Sequence, residues 1–245
     1  MIIYGIHPVT EALKSLDGRV ELVWLVPGKS NPRLQRIIKL AKNRNISLDF
    51  KSAAQMTQEF GNVSHQEVAA KLSSFQYSNV ETIMKTNPRL LLLVDRIEDP
   101  QNLGALLRSA EGAGIGGVFI SQRRSCAITP AVLKASAGAA MHLKISREVN
   151  AVRTLRSLKQ RGFWALGLDM QGETSVNEID PNCSWVVVVG GEHQGLRKLL
   201  REQCDFLVSL PMRGRVSSLN LSVAAGVVFY QLLLRCFPLK EMDTK

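Results

Sequence analysis

Hydrophobic and polar positions divide the first 76 residues into short blocks with helix and strand periods. Residues 8–15 have the pattern of a helix, and residues 20–26 (VELVWLV) form an apolar run typical of a strand. Residues 46–51 and 67–75 have the pattern of further strands. Because helix and strand patterns alternate within so short a stretch, we predict a small α/β unit here.

A second helix pattern in this part carries a basic face. Residues 31–44 place apolar side chains at i, i+3, i+4 and i+7, from Leu34 to Ala41, which predicts one buried stripe. Most of the remaining positions are basic, so this face is either solvated or in contact with RNA, and the sequence leaves both interpretations open. The candidate RNA-binding residues are Arg33, Arg36, Lys39 and Lys42.

The second part of the chain begins after a stretch without clear periodicity. Residues 76–88 (QYSNVETIMKTNP) end in Asn-Pro, a turn signal, so we predict a linker over residues 77–87 between domains of residues 1–76 and 88–245. In the larger domain, continuous apolar runs separated by helical patterns predict a mainly parallel sheet covered on both faces. The runs are residues 90–94, 118–121, 163–168, 186–190 and 206–210.

The net charge of the chain indicates which class of binding partner it favours. The chain has 245 residues, with 31 Lys and Arg against 21 Asp and Glu, a formal net charge of +10. Such an excess favours polyanionic partners, nucleic acid before an anionic membrane surface. With 45% hydrophobic and 21% charged residues, the composition is that of a soluble globular protein, which excludes a mainly disordered or fibrous chain.

The spacing of the cysteines and the length of the apolar segments predict where in the cell the protein is located. The four cysteines lie far apart, without a Cys-x-x-Cys pair, so the sequence predicts reduced thiols in a cytoplasmic protein and no metal site. Residues 1–10 lack the basic and apolar regions of a secretion signal. The longest apolar stretch, residues 219–234, is shorter than the roughly 20 residues that span a bilayer, so we predict a buried helix there and no membrane association.

Candidate chemistry is expected where the strands of a parallel sheet end, because ligands bind beyond their carboxyl ends. After residues 90–94 comes DRIEDPQNLGALLRSAEGAG, in which Asp99 can cap a helix that carries Asn102 in its first turn. Arg108 follows about two turns into this helix, either as a functional cation or as a surface arginine paired with Glu111. This segment is the first candidate for a functional site.

Two more polar segments follow later strands. After WVVVVGG comes Glu192, a carboxylate that can orient a hydroxyl, accept a proton or simply favour the N-terminus of the next helix. After the last run comes LPMRGRVSSLNLSVAAG, in which Ser217, Ser218 and Asn220 bring hydroxyl and amide groups to the start of an apolar helix. A cap needs only one such residue, so this cluster exceeds what capping requires.

Three ordered motifs resemble those of the TrmH/SpoU family of RNA ribose 2′-O-methyltransferases, within the SPOUT class. They are DRIEDPQNLGALLRSAEGAG, VVGGEHQGL and LPMRGRVSSLNLSVAAG, and the resemblance spans residues 90–235. The opening IYGIHPVTEALKS and the α/β unit behind it resemble the substrate RNA-binding domain of the RlmB-like branch, which acts on large-subunit ribosomal RNA. That domain shares the fold of ribosomal RNA-binding proteins. The resemblance therefore covers nearly the whole chain.

The resemblance implies a fold, a cofactor and a reaction. It implies a SPOUT α/β domain with a trefoil knot, S-adenosyl-L-methionine as cofactor, a homodimer formed through the C-terminal domain, and 2′-O-methylation of guanosine in 23S-type ribosomal RNA. Two alternatives stay open: a transfer RNA ribose 2′-O-methyltransferase, and an RNA-binding ribosome-assembly protein without catalysis. By motif position, the implied catalytic residues are Asn102, Arg108, Glu192, Ser218 and Asn220, and the implied cofactor-binding residues are Gly190, Leu210, Met212 and Leu219.

Overall fold

Helices and strands alternate along most of the chain. The computed structural model describes residues 1–15, 20–28, 31–61, 63–192 and 194–237. The strands are β1 Ile2–Tyr4, β2 Val20–Leu25, β3 Ser47–Phe50, β4 Val68–Leu72, β5 Leu90–Val94, β6 Gly117–Ser121, β7 Ile145–Glu148, β8 Phe163–Leu168, β9 Ser184–Val189 and β10 Phe206–Val208. The helices are α1 Ile6–Lys14, α2 Pro32–Asn43, α3 Ala53–Phe60, α4 Val80–Met84, α5 Pro100–Gly112, α6 Pro130–Ala135, α7 Ala151–Gln160, α8 Lys198–Arg201 and α9 Leu221–Cys236.

These elements form two units. The first comprises Met1–Gln76 and Ile128–His142, and the second comprises Tyr77–Ala127 and Leu143–Lys245. In the first unit four strands form a sheet in the order β1-β4-β2-β3, with β4 antiparallel to both of its neighbours and β2 parallel to β3. The predicted alternation of helices and strands in this part of the chain is therefore confirmed.

The strands β2 and β4 and the helix α3 supply one buried cluster of the first unit. Met56 from α3 is buried with Trp24 and Ala69 from the sheet. The sequence did not predict β1 or α3. The strand β1 has only three residues, and α3 (AAQMTQEF) buries a single residue, Met56, which leaves almost no apolar period to recognise.

The helix α2 confirms the predicted amphipathic segment. Asn31 caps it by accepting a hydrogen bond from the backbone N–H of Arg33, and Pro32 occupies the first turn. Leu34 and Ile37 are buried, whereas the candidate RNA-binding side chains Arg33, Arg36, Lys39 and Lys42 are exposed. Those four make no hydrogen bond or ion pair with any residue that the structure describes.

The segment Ile128–His142 folds with the first unit, although the strands β6 and β7 on either side of it belong to the second. Its helix α6 packs against β1 and α1. His142 Nε2 lies 2.8 Å from Glu11 Oε2, and a Cβ at Gly138 would lie only 2.7 Å from the Cβ of Glu11. Since Gly138 also has a φ of +89°, glycine is required there both by the turn and by the close approach.

The second unit is built on a six-stranded parallel sheet. The strand order is β10-β8-β9-β5-β6-β7, and every neighbouring pair is parallel. Leu91 and Leu93 of β5 are buried together with Leu155 and Leu158 of α7. The predicted parallel sheet is confirmed, and the carboxyl ends of β9, β5 and β6 lie side by side. The trefoil knot implied by the family resemblance stays a prediction.

Two elements of the second unit lie where the sequence predicted none. The strand β7 (ISRE) is only half apolar, so its pattern is weak. The helix α4 lies within the predicted linker of residues 77–87, where Asn79 caps it and Ile83 is fully buried. Five residues are too few for a helical period to be visible in the sequence, and the packing of Ile83 supplies the stability instead.

The helix α9 differs from the prediction of a buried helix. One of its faces packs against α5, and Ala225, Val228, Phe229 and Leu232 are fully buried. The opposite face carries large apolar side chains that are about half exposed, so the prediction is wrong for this face. Those side chains are Val223, Val227, Tyr230 and Leu234, at 52%, 40%, 47% and 56% exposure.

The state of the cysteines and the character of the helices can be compared with the predictions of reduced thiols and of no membrane association. All four cysteines are free thiols, and burial raises the pKa of Cys204 to about 12, which makes that thiol unreactive. Among the described residues, no helix has both the length and the apolar character needed to cross a bilayer.

Candidate active site

The start of α5 fixes the position of Asn102. The Asp99 carboxylate accepts hydrogen bonds from the backbone N–H groups of Gln101 and Asn102, at 3.0 and 3.2 Å, and Pro100 occupies the first turn. The predicted cap is therefore confirmed. The buried stripe below it is also confirmed, since Leu103, Leu106, Leu107 and Ala110 are fully buried.

Three of the predicted catalytic residues form a hydrogen-bonded chain. Asn102 Nδ2 donates to Glu192 Oε1 at 2.8 Å, and Asn220 Nδ2 donates to Asn102 Oδ1, also at 2.8 Å. Asn220 Oδ1 in turn accepts from the backbone N–H and the hydroxyl of Ser222, at 2.9 and 2.6 Å. Each amide therefore has a fixed orientation, and the three motifs meet at Asn102.

Glu192 projects from a short loop that closes on itself after β9. The backbone N–H of Gly191 donates to the carbonyl of Gly195 at 3.2 Å, and the N–H of Gly195 donates back at 2.9 Å. A Cβ at Gly190 would overlap the carbonyl group of Gly195 and would lie 2.5 Å from the backbone nitrogen of Leu196. The loop can close this tightly only because position 190 has no side chain.

A buried ion pair holds the end of the same loop. Asp95 directly follows β5 and is 2% exposed, and its carboxylate accepts two hydrogen bonds from Arg197, at 2.6 Å from Nε and 3.0 Å from Nη2. A two-point contact of this kind fixes the direction of both side chains. The pair therefore ties the residue after the Glu192 loop to the end of the strand that leads to α5.

Replacing Arg197 with methionine is expected to destabilise the protein by about 3 kcal/mol, because the Asp95 carboxylate would be left buried without a partner. This loss lies at the low end for broken buried ion pairs, because Arg197 is itself about one-third exposed. Urea unfolding measures the change. Arg201→Met is the control, because Arg201 pairs with Asp169 at 3.4 Å near the surface and its loss should cost under about 1 kcal/mol. Equal losses in the two variants would contradict the expectation.

Arg108 and Ser218 lie apart from the hydrogen-bonded chain. Arg108 is exposed on α5 and makes no hydrogen bond or ion pair with any described residue, so the alternative pairing with Glu111 is not present. Ser218 is exposed in the irregular segment before α9, and no described residue bonds its hydroxyl. Both side chains are thus available to a substrate, and their catalytic roles stay predictions.

The predicted cofactor residues follow β9 and β10. Gly190 comes directly after β9, and Leu210, Met212 and Leu219 lie in a segment without helix or strand. Within the part of the chain that the structure describes, the backbone groups of residues 210–219 form no hydrogen bond with one another or with other main chain. Met212 and Leu219 are 38% and 42% exposed. Free main-chain donors and acceptors beside exposed apolar side chains fit a nucleoside-type cofactor.

The sequence reasoning missed Asp95, Arg197 and Ser222. Asp95 had a recognisable signal, because it is the first polar residue after a wholly apolar strand, at the edge where ligands bind. Arg197 had none, since its partner lies about a hundred residues earlier in the chain and only the fold brings the two together. Ser222 lies within the third motif, but the motif does not show that Ser222 bonds the side chain of Asn220.

Comparison with known proteins decides the family. A model described as the SpoU rRNA Methylase family matches residues 89–230, more than half of the chain. The chain belongs to the SpoU rRNA methylase family. A second model, described as RNA 2′-O ribose methyltransferase substrate binding, matches residues 2–78. The SpoU assignment confirms the resemblance inferred from the three ordered motifs.

Individual SpoU relatives match along nearly the whole chain. It is 38% identical to the 23S rRNA (guanosine-2′-O-)-methyltransferase RlmB of Pseudomonas putida over 94% of each chain. It is 36% identical to RlmB of Pseudomonas aeruginosa over 97% of this chain and 98% of that one. The SpoU methyltransferase AviRb from Streptomyces viridochromogenes, solved in complex with the cofactor AdoMet, has a similar fold, with a TM-score of 0.79 at 22% identity, covering 95% of this chain and 89% of AviRb.

Proposed function

We propose that the protein is an S-adenosyl-L-methionine-dependent enzyme that methylates the ribose 2′-hydroxyl of a guanosine in large-subunit ribosomal RNA. The RlmB relatives are named for that activity and match nearly the full length of the chain. The observation that carries the proposal is the hydrogen-bonded chain from Glu192 through Asn102 to Asn220. Asn102 lies on α5, the helix that also presents Arg108. An RNA-binding protein without catalysis has no need of this arrangement.

The reaction joins the ribose 2′-oxygen to a methyl group while the bond between that methyl group and a sulfonium sulfur breaks and the hydroxyl loses its proton, so the oxygen has to lie in line with the breaking bond. When bound, S-adenosyl-L-methionine supplies that methyl group. The residues that would hold it are Gly190, Leu210, Met212 and Leu219, through free main-chain groups and exposed apolar side chains. Holding two reactants in line recovers several kcal/mol of the barrier, so orientation is the main contribution of the protein.

Arg108 is assigned to the RNA side of the site. A guanidinium stays protonated in proteins and is a poor base, so it does not take the hydroxyl proton. It binds the substrate phosphate and the 2′-oxygen and stabilises the negative charge that develops there. Asn102, Glu192, Ser218 and Asn220 position the ribose and the arginine.

The basic face of α2 is assigned to RNA binding by the first unit. Its four exposed cations lack partners among the described residues, which suits contact with phosphates. Replacing Arg33, Arg36, Lys39 and Lys42 with glutamine should reduce the salt dependence of RNA binding, by about 0.7 in log–log slope for each phosphate that the variant no longer binds. Filter binding at several salt concentrations measures this slope. An unchanged slope would assign these residues to a solvated face.

The proposed function is tested by mapping 2′-O-methyl groups in RNA from cells that lack this protein, and in the same RNA after incubation with the purified enzyme and S-adenosyl-L-methionine. We expect one guanosine of large-subunit ribosomal RNA to lose its methyl group in the cells and to regain it in vitro. A site lost from transfer RNA instead would support the transfer RNA alternative. Calorimetry that detects no S-adenosyl-L-methionine binding would support a non-catalytic RNA-binding protein.

Because ribosomal RNA is the proposed substrate, the proposed location is the cytoplasm.

A homodimer formed through α9 is also proposed. The exposed apolar residues Val223, Val227, Tyr230 and Leu234 are spaced by four, three and four positions, so they form one stripe along the helix. A contiguous apolar stripe on the surface of a protein is typical of an interface. A second copy of the same helix offers a matching stripe about a two-fold axis.

Replacing Val227 and Leu234 together with glutamate should convert the dimer to a monomer, because two charges would be buried at the interface without partners. Light scattering coupled to size-exclusion chromatography measures the mass. Leu199→Glu, at a residue of α8 that is 64% exposed, is the control for adding an acidic side chain at an exposed apolar site. A wild-type protein of monomeric mass at micromolar concentration would reject the proposal.

A further inference from the structure

A group of arginines lies at the carboxyl ends of β5 and β6, next to the candidate active site. Arg96 lies in the loop after β5, and Arg123 and Arg124 lie in the turn after β6. The two strands are neighbours in the sheet, with Val94 opposite Ile120, so their ends are roughly 4.8 Å apart. We refer to Arg96, Arg123 and Arg124 as the basic rim.

The two loops that carry the basic rim are tied to each other. The backbone N–H of Arg96 donates to the hydroxyls of Ser125 and Ser121, at 3.0 and 3.3 Å, and these two hydroxyls lie 2.9 Å apart. The N–H of Cys126 donates to the carbonyl of Ile97 at 2.7 Å. The backbone that presents the arginines is therefore fixed before any ligand binds.

The same loops hold an unfavourable backbone conformation. Arg96 has a φ of 60° and Arg124 a φ of 54°, values in the left-handed region that side chains other than glycine and asparagine rarely adopt. Such residues persist only where surrounding contacts hold them, and they are concentrated at functional sites. The contacts between the two loops therefore hold Arg96 and Arg124 in this conformation.

The guanidinium groups of the rim are unpaired within the part of the chain that the structure describes. None makes a hydrogen bond or ion pair with a residue in the described ranges. Several other arginines of the second unit are engaged: Arg89 donates to two backbone carbonyls, Arg161 pairs with Glu81, and Arg201 pairs with Asp169. Arg108 of the candidate active site, like the rim, bonds no described residue. The acidic residues next to Arg96 in the sequence, Asp95 and Glu98, form no ion pair with the rim, and Asp95 bonds Arg197 instead. The guanidinium groups of the rim therefore remain available to an external anion.

We propose that the basic rim binds backbone phosphates of the RNA next to the ribose that is methylated. This inference rests on the proposed function and gives a role to three arginines that are not among the catalytic or RNA-binding residues predicted from the sequence. The planar fork of a guanidinium fits two phosphate oxygens at once. Several cations fixed on two adjacent loops suit successive phosphates of one strand, whereas the single carboxylate of S-adenosyl-L-methionine offers one anionic group.

The test compares Arg123→Ala/Arg124→Ala with Arg153→Ala/Arg156→Ala in the full-length protein. The control pair removes the same charge from α7, where Arg153 is exposed and Arg156 bonds Gln203. With a transcript of large-subunit ribosomal RNA as the probe, the rim variant should bind on the order of tenfold more weakly than wild type at physiological salt. Its log–log salt slope should fall by about 0.7 for each phosphate released from the rim.

Three further measurements distinguish a loss of RNA binding at the rim from a loss of cofactor binding or of folding. The KM for RNA should rise much more than kcat falls, calorimetry should give an unchanged affinity for S-adenosyl-L-methionine, and Arg123→Lys/Arg124→Lys should recover part of the RNA binding. RNA binding equal to that of the Arg153/Arg156 control would overturn the proposal, and so would a loss confined to S-adenosyl-L-methionine binding. If the wild-type enzyme itself transfers no methyl group to ribosomal RNA, the proposed function fails, whereas an active wild type with an unaffected rim variant rejects the rim alone.

Discussion

Alanine in place of Arg108 is expected to lower the rate of methyl transfer by roughly 10²- to 10³-fold, the loss typical of removing one group that stabilises developing charge. Arg108 is exposed and bonds no described residue, so its replacement should change the free energy of unfolding by no more than about 0.5 kcal/mol. Single-turnover transfer of a labelled methyl group to the RNA, with urea unfolding alongside, measures both quantities. The expected result is therefore an intact protein that is nearly inactive.

Two variants sharpen this expectation. Arg108→Lys keeps the charge but loses the planar fork, so its rate should fall between those of the wild type and the alanine variant. Arg153→Ala removes another exposed arginine, on α7, and should leave the rate unchanged. Near-wild-type turnover in Arg108→Ala would remove Arg108 from the mechanism.

Asn102→Asp is expected to have the second largest effect, a fall in kcat of roughly 100-fold. The new carboxylate has the shape of the amide, but it places an oxygen where Asn102 Nδ2 now donates to Glu192 Oε1 at 2.8 Å. Two carboxylates can share that position only if one takes up a proton, and otherwise the pair separates. A displacement of about 1 Å at a reacting centre can cost about 100-fold.

The pH and a second substitution test the cause of this loss. Lower pH favours the shared proton, so the activity of Asn102→Asp relative to wild type should rise as the pH falls. Adding Glu192→Gln restores a donor opposite the new carboxylate, while Asn220 Nδ2 can still donate to position 102. The double variant should therefore be more active than Asn102→Asp if geometry is the cause. A double variant that is no better would assign the loss to the charge of Glu192 itself.

The sequence predicts the second unit well because its strands are continuous apolar runs. The run LLLLV corresponds to β5 residue for residue, and polar residues that follow parallel strands must meet at one edge of the sheet. That reasoning places Asn102 and Glu192 near each other. It cannot give the direction of their hydrogen bond, which depends on the orientation of the Asn102 side-chain amide that Asn220 fixes by donating to Asn102 Oδ1.

Other features depend on contacts that a linear pattern does not contain. The helix α9 is apolar nearly all round, so its sequence cannot show that α5 covers Val228 and Phe229 while Val227 is left exposed. The pair of Asp95 and Arg197 joins two distant parts of the chain. The position of Asp95 after an apolar strand is visible in the sequence, but nothing in the sequence marks Arg197 as its partner. Short elements such as α3 and α4 form because they pack, and their own sequences barely favour them.

Because the segment Ile128–His142 folds with Met1–Gln76, the first unit is encoded by two separate stretches of the sequence. A cut after Gln76 would take away the stretch that packs on α1 and β1, and would leave that stretch on the other fragment without the sheet it covers. The RNA-binding unit therefore cannot be exchanged between enzymes as a simple N-terminal cassette. A chimera with a new substrate preference has to transplant both pieces, so that Gly138 still meets Glu11.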